Sequence, residues 1–161
     1  MPDAARNVHT IRKAVEYLEK AADQATQNYA NREAIQFYKQ ALEWSAKLPE
    51  PQGKNAARES QVNRARWHRN IAVAYYGLGL LAECNTHTRS ALLILGHPLP
   101  KSGTAFALRL IPQIVRQVLH RVFPSHYIGS VQGQEKEEAL ENARIYELLG
   151  RMFFYSNETL P

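Results

Sequence analysis

The sequence predicts an all-α fold, a right-handed α-α superhelix of about six helices in a single domain over residues 1–161. Three observations indicate this fold. Apolar and small residues recur at helical spacing along most of the chain, strand patterns are nearly absent, and a pair of helices joined by a tight turn occurs twice in the same frame. The 161 residues, 45% hydrophobic and 22% charged, have the composition of a folded globular chain.

The first helical hairpin is predicted over residues 8–47. Its first helix runs from Asn7 to Gln27, because one helical stripe of that segment is apolar or small. The stripe consists of Ile11, Ala14, Val15, Leu18, Ala21, Ala22 and Ala25. The second helix begins at Asn31, the predicted N-cap, and ends near Lys47. Two prolines and a glycine in the segment 49–53 prevent it from continuing.

The second hairpin is predicted over residues 57–95. Its first helix runs from Ala57 to Leu78 and is followed by a glycine turn. Its second helix runs from Leu81 to Leu95. The glycine and prolines that follow, at residues 96–100, end this hairpin.

Two more helices are predicted after the second hairpin. One is an insertion over residues 104–123, bent at Pro112. The other opens a third hairpin near residue 135 and runs from Glu135 to about Tyr155. Acidic residues suit the positive end of the helix dipole, so those at its start are interpreted as a solvated helix start. They are Glu135, Glu137, Glu138 and Glu141.

The two complete hairpins align with each other at a constant offset, which indicates an internal repeat. The aligned pairs are Ala22 with Ala72, Ala34 with Cys84, Tyr38 with Thr88, Ala41 with Ala91, and Leu42 with Leu92. In the last helix, the residues that match Ile71, Ala72, Tyr75 and Tyr76 are Leu149, Gly150, Phe153 and Phe154. Ala22, Ala72 and Gly150 are therefore expected at equivalent tight helix crossings.

The stretches YYGLGLLAECNTHTRSALLILGHP and AIQFYKQAL resemble tetratricopeptide repeats. That family has a small residue in the first helix of each repeat, aromatics one turn later, and a small-aromatic-small pattern in the second helix. Two departures are plain: the repeats lie farther apart than the family's 34 residues, and Thr88 stands where an aromatic is usual. Long linkers and the inserted helix account for the spacing. The resemblance implies a non-catalytic scaffold for protein-protein interaction.

A more specific resemblance is to the helical region that follows the ATPase module in large bacterial signalling proteins with AAA ATPase and class III adenylate cyclase or kinase domains. It is carried by YYGLGLLAE, ALLILGHPLP, VLHRVFP and ARIYELLGRMFFYSNETLP. It implies a role in signal transduction as a fragment of a larger chain. In that case Phe153, Phe154 and Tyr155 either fold back or pack against a part outside this sequence. The sequence contains no G-x-x-x-x-G-K-[ST] phosphate loop, so ATP binding is not implied.

Charge is distributed unevenly along the chain. Residues 1–60 hold 9 basic and 8 acidic side chains, residues 61–130 hold 8 and 1, and residues 131–161 hold 3 and 6. The middle segment is therefore a basic island of net charge +7, built largely of arginine. It is either a solvated face with packed side-chain stems or a surface for an acidic partner.

The resemblance also implies a concave groove lined by the first helix of each repeat. The groove positions are Glu16, Glu19, Lys20 and Asp23, then Arg66, Arg69, Asn70 and Val73, then Arg144, Glu147, Leu148 and Arg151. Some tetratricopeptide proteins clamp a C-terminal carboxylate here. Asn70 and Arg144 match that clamp, whereas Glu19 and Asp23 would repel a carboxylate.

The predicted partner is a protein or acidic peptide segment, which could belong to another domain of the same parent chain. Guanidinium groups pair well with carboxylates, which gives this prediction its physical basis. The predicted partner-binding residues are Arg64, Arg66, Arg69, Asn70, Arg89, Arg116, Arg121 and Arg144.

Nucleic acid is the alternative partner. The motif RARWHR places an aromatic between arginines, and the sequence pI of about 9.4 suits phosphate contacts. The sequence has no helix-turn-helix or zinc-finger signature beside that motif. At helical spacing, Trp67 is interpreted as a core residue in preference to a stacking platform.

No catalytic residue, cofactor or metal centre is predicted. The six histidines are scattered without an H-E-x-x-H motif, and each is interpreted as a surface or packing residue. Cys84, the single cysteine, is interpreted as a buried inert thiol. One cysteine and the lack of a signal-peptide pattern favour a cytoplasmic protein. The longest apolar stretch, residues 71–82, is shorter than the roughly 20 residues of a membrane helix.

Overall fold

The computed structural model describes residues 2–99 and 133–156, and these residues form five helices. The helices are α1 (Pro2–Gln27), α2 (Asn31–Ser45), α3 (Lys54–Gly77), α4 (Leu81–Ile94) and α5 (Gln134–Ser156). The described ranges contain no strand, so the predicted all-α class is confirmed. The predicted inserted helix at residues 104–123 lies outside the described ranges.

Helices α1 and α2 form one hairpin and α3 and α4 a second, and both close by the same backbone device. At the α1–α2 turn, Tyr29 has a φ of 58°, and the Ala30 amide donates to the Ala25 carbonyl. At the α3–α4 turn, Gly79 has a φ of 73°, and the Leu80 amide donates to the Tyr75 carbonyl. Each of these positions in the second turn lies 50 residues after its counterpart in the first. The repeat frame read from the sequence therefore extends to the turns.

Burial follows the same repeat frame inside each hairpin. The small or polar residues at the aligned positions are fully buried, namely Ala22 and Ala72, Ala34 and Cys84, Tyr38 and Thr88, and Ala41 and Ala91. Thr88 is buried without an unsatisfied hydroxyl because its Oγ1 donates to the Cys84 carbonyl at 2.8 Å. This local bond lets a threonine occupy the buried position where the first hairpin has Tyr38.

The hairpins stack in chain order. Helix α3 packs on α2, and α5 packs on both α3 and α4. The contact between α3 and the first hairpin is made by Trp67, Ile71 and Ala74, which join the core of α1 and α2. The contact with α5 is made by Leu148, Leu149 and Met152 beside Ala72 and Cys84.

The prediction for Asn31 was wrong. Ala30 occupies the cap position, Asn31 is the first helical residue, and no side chain caps α2. The Asn31 side chain lies against α3 instead, so close that a Cβ built on Gly77 would stand 2.8 Å from its Nδ2. Glycine at position 77 therefore lets the second hairpin approach the start of α2.

The predicted crossing at Gly150 was also wrong. Gly150 is exposed, and a Cβ added there would meet nothing within 4 Å. The face of α5 that packs on α3 and α4 carries Ile145, Leu148, Leu149 and Met152. This face carries large residues, whereas α1 and α3 have Ala22 and Ala72 at their helix crossings. Helix α5 therefore does not repeat the small-residue pattern of α1 and α3.

None of the helices in the described ranges is long and apolar enough to cross a membrane.

Candidate partner-binding groove

Carboxylates on α1 and α5 pair with Arg66 and Arg69 of α3, two of the predicted groove positions. Glu19 Oε1 accepts a hydrogen bond from Arg66 Nη2 at 2.9 Å and a second from Trp67 Nε1 at 2.9 Å. The Trp67 ring is buried, as the sequence predicted. Glu19 therefore joins the first hairpin to the second through one charged and one neutral donor.

The corresponding link from α3 to α5 is an ion pair with a buried carboxylate. Arg69 Nε lies 2.5 Å from Glu141 Oε1, and Arg144 Nη1 lies 3.6 Å from Glu141 Oε2. The side chain of Glu141 is 3% exposed and that of Arg69 is 16% exposed. The interpretation of Glu141 as part of a solvated helix start was wrong, because this carboxylate is held at the interface between two helices.

A third polar link connects α1, α2 and α3 through Tyr38. The buried hydroxyl of Tyr38 donates to Asp23 Oδ1 and accepts a hydrogen bond from Asn70 Nδ2 at 2.7 Å. Burial, reinforced by the hydrogen bond to the Asp23 carboxylate, raises the pKa of Tyr38 well above its ordinary value. Asp23 and Asn70, two positions of the carboxylate clamp that the sequence resemblance implies, are therefore bonded to the same internal group.

A cleft of about 590 Å³ lies between α1, the N-terminal half of α3 and the connection from α2 to α3. Its walls carry the cations Arg12 and Arg64 and apolar surface from Val15, Leu48 and Trp67. Acidic side chains also line it, and they are Glu16, Glu19, Glu50 and Glu59. The cleft therefore combines both signs of charge with apolar surface.

The predicted partner-binding residues divide into three groups in the structure. Arg66, Arg69 and Arg144 form ion pairs within the chain, and Asn70 binds Tyr38. Arg64 is exposed on the cleft wall, with no ion pair inside the described ranges, and Arg89 donates to Asn85 Oδ1 at 3.0 Å on α4. Arg116 and Arg121 lie outside the described residues. Partner binding by these residues stays a prediction.

Two histidines that are 19 residues apart in the sequence meet between α3 and α4. His68 Nδ1 and His87 Nδ1 are 3.0 Å apart, and both side chains are half-buried. The His87 ring stacks on Tyr75 with a centroid separation of 5.6 Å, and Lys39 Nζ donates to Tyr75 OH at 2.8 Å. Sequence spacing gave no sign of this pair, because the two residues belong to different helices and only the hairpin brings them together.

Both imidazoles of this pair are held neutral. Burial lowers the pKa of His68 to about 4, assisted by the neighbouring His87 and the positive charge of Arg64. Burial also lowers the pKa of His87, assisted by the positive charge of Lys39. In the neutral pair one Nδ1 carries a proton and donates a hydrogen bond, and the other Nδ1 accepts that bond.

We expect the chain to lose stability when these histidines are forced to ionise. The unfolded chain binds protons at His68 below its ordinary pKa of 6.5, whereas the folded chain does so only near pH 4. The free energy of unfolding should therefore be fully retained above pH 6.5 and should fall as the pH drops toward 4. Allowing for partial solvent exposure, we expect a loss of about 2 kcal/mol.

Urea unfolding at several pH values in a metal-free buffer measures this loss. The His68→Gln variant should show a flatter dependence between pH 6.5 and 4. An equally steep fall in that variant would assign the effect to other groups.

Cys84 is buried, as the sequence predicted, and burial raises the pKa of its thiol. Its thiol is therefore in the less reactive protonated form. Within residues 2–99 and 133–156, no group of three or more histidine, cysteine, aspartate or glutamate side chains is placed to hold a metal ion.

Comparisons with known proteins gave no match, whether to a family model, to a curated protein or to a solved structure. Function is therefore inferred from the residues, their geometry and the resemblance seen in the sequence.

Proposed function

We propose that this chain is a non-catalytic protein-protein interaction module of the tetratricopeptide kind, and that the cleft between α1 and α3 receives a segment of its partner. The observation that carries the proposal is the cleft itself, which is bounded by the first helices of two consecutive hairpins and by the segment that connects them. Its volume of about 590 Å³ is that of a site for a few side chains. In this proposal the cleft anchors the partner and the helical stack serves as a scaffold.

The partner segment proposed for the cleft carries an acidic residue beside an apolar one. Arg64 offers an exposed guanidinium for a carboxylate, and Leu48 lies on the same cleft. Arg66 and Arg69 are engaged with Glu19 and Glu141, which reduces their charge toward an outside ligand. A few such anchors supply most of the affinity of an interface.

The wider context is proposed from the sequence resemblance. The chain would belong to a cytoplasmic signalling protein with an ATPase or cyclase module, and would couple that module to a partner or to another domain of the same parent. Two ion pairs, Glu19 to Arg66 between the hairpins and Arg69 to Glu141 between α3 and α5, support this role because they favour a stack that moves as a unit.

A protein partner is favoured over nucleic acid by the state of the RARWHR motif. The Trp67 ring is buried and its Nε1 is bonded to Glu19, so the ring is not presented to a base. Two of the three arginines of the motif are in ion pairs.

The proposal is tested by selecting peptides from a displayed library against the chain and measuring their affinity for two charge-reversal variants. We expect Arg64→Glu to weaken binding by about tenfold or more, because it turns a charge-assisted hydrogen bond into repulsion. Arg89→Glu is the matched control, since Arg89 is also an arginine of the basic island but lies on α4, away from the cleft.

Equal affinity of a selected peptide for Arg64→Glu and the unaltered chain would contradict the proposal. The polyanion alternative makes a different prediction, since binding to nucleic acid would weaken by orders of magnitude between low and moderate salt. A selected peptide that contacts one or two charges would show a much shallower salt dependence.

A further inference from the structure

We propose that His68 and His87 form a chelating site for a divalent first-row transition-metal ion at the junction of α3 and α4. The two Nδ1 atoms are 3.0 Å apart. Two nitrogens bound to one ion at about 2.1 Å in adjacent positions, about 90° apart, are themselves separated by about 3.0 Å. The pair therefore stands at the separation that a square-planar or octahedral ion such as Cu²⁺ or Ni²⁺ requires.

The orientation of the rings allows a common ligand. The ring centroids are 5.1 Å apart, and the ring planes are inclined by 35° to each other. In this arrangement the two Nδ1 atoms point toward each other. To aim both lone pairs at one ion beside the line that joins them, each ring would turn by about 45°.

The chemical state of the pair also suits a metal. An imidazole binds a metal only when it is neutral, and an imidazole of ordinary pKa, about 6.5, is mostly neutral at pH 7. The proton now shared between the two Nδ1 atoms would move to Nε2 of the ring that carries it. Binding at pH 7 therefore releases no net proton.

The surroundings define what kind of site this is. Lys39 on α2 and Arg64 on α3 are the cations that act on the pair, and their repulsion weakens binding. Because the protein supplies two ligands, water completes the coordination. Both side chains are half-buried, so the pair lies at the edge of the α3–α4 junction and not in the core. Such a site selects imidazole-preferring ions over Mg²⁺ and Ca²⁺, which prefer oxygen ligands.

The direct test is a calorimetric titration of Ni²⁺ into the chelator-treated full chain. We expect binding of one ion per chain, with affinity about tenfold or more weaker in His68→Gln and in His87→Gln. His97→Gln is the matched control, because His97 is exposed and lies outside the pair. Weaker binding in both pair variants, but not in the control, would support the site.

Equal Ni²⁺ affinity in the pair variants and the unaltered chain, or no binding to the unaltered chain, would overturn the proposal. A second measurement covers the case in which a pair variant fails to fold. The electron paramagnetic resonance spectrum of one equivalent of Cu²⁺ in the unaltered chain should show two imidazole nitrogens as ligands. A spectrum with one nitrogen ligand or none would equally refute the chelate.

Discussion

Replacing Arg69 with methionine is expected to destabilise the fold by about 3 kcal/mol, although Arg69 lies in the basic island that the sequence assigns to partner binding. The reason is the carboxylate that it leaves behind. Glu141 is 3% exposed, and its other cation, Arg144, lies 3.6 Å away on an exposed side chain. Without Arg69 the buried charge is poorly compensated, because a group so deeply buried recovers little solvation.

The matched control is the double variant Arg69→Met with Glu141→Leu, which removes both charges from the interface. Apolar residues of similar volume often replace a buried ion pair with little loss of stability. We therefore expect urea unfolding to show the double variant more stable than Arg69→Met alone. A double variant as unstable as the single one would mean that Glu141 is not the source of the cost.

Enlarging Ala72 to leucine is expected to destabilise the fold by about 1–3 kcal/mol. Ala72 is fully buried where α3 faces Cys84 of α4 and Leu148, Leu149 and Met152 of α5. The added carbons have no room unless α4 or α5 moves away. Thermal unfolding measures this loss as a lower melting temperature.

Gly150→Ala is the matched variant at the position that the sequence aligned with Ala72. Space around Gly150 is open, and alanine is favoured over glycine inside a helix by about 0.5–1 kcal/mol. We therefore expect Gly150→Ala to raise the melting temperature. A fall as large as that of Ala72→Leu would show that Gly150 lies at a tight crossing after all.

The features predicted correctly from the sequence are those that depend on local periodicity. The small residues at 22, 34 and 41 recur 50 residues later at 72, 84 and 91, and all six are fully buried. Burial of a helical face imposes a spacing that the sequence must display, so both hairpins could be recognised. Helix α5, predicted to open a third hairpin, was misaligned with α1 and α3. Its buried face consists of leucine, isoleucine and methionine, and its one glycine is exposed.

The features that the sequence did not reveal depend on contacts between distant segments. Glu141 looks like one more acid near a helix start, and only the position of Arg69 on another helix makes it buried. The same holds for His68 and His87, which neither local spacing nor a motif connects. A charge count along the chain likewise treats every arginine alike, whereas Arg66 and Arg69 bind carboxylates of α1 and α5 and Arg64 remains exposed.

Amide hydrogen exchange tests the proposed binding cleft most directly. It is measured with and without a peptide selected from the displayed library. Binding in the cleft should slow exchange in three places, the middle of α1, residues 45–51 and the first half of α3, while α4 exchanges at an unchanged rate. Slowed exchange confined to α4 and the outer face of α5, with none along α1, would place the partner elsewhere and contradict the account.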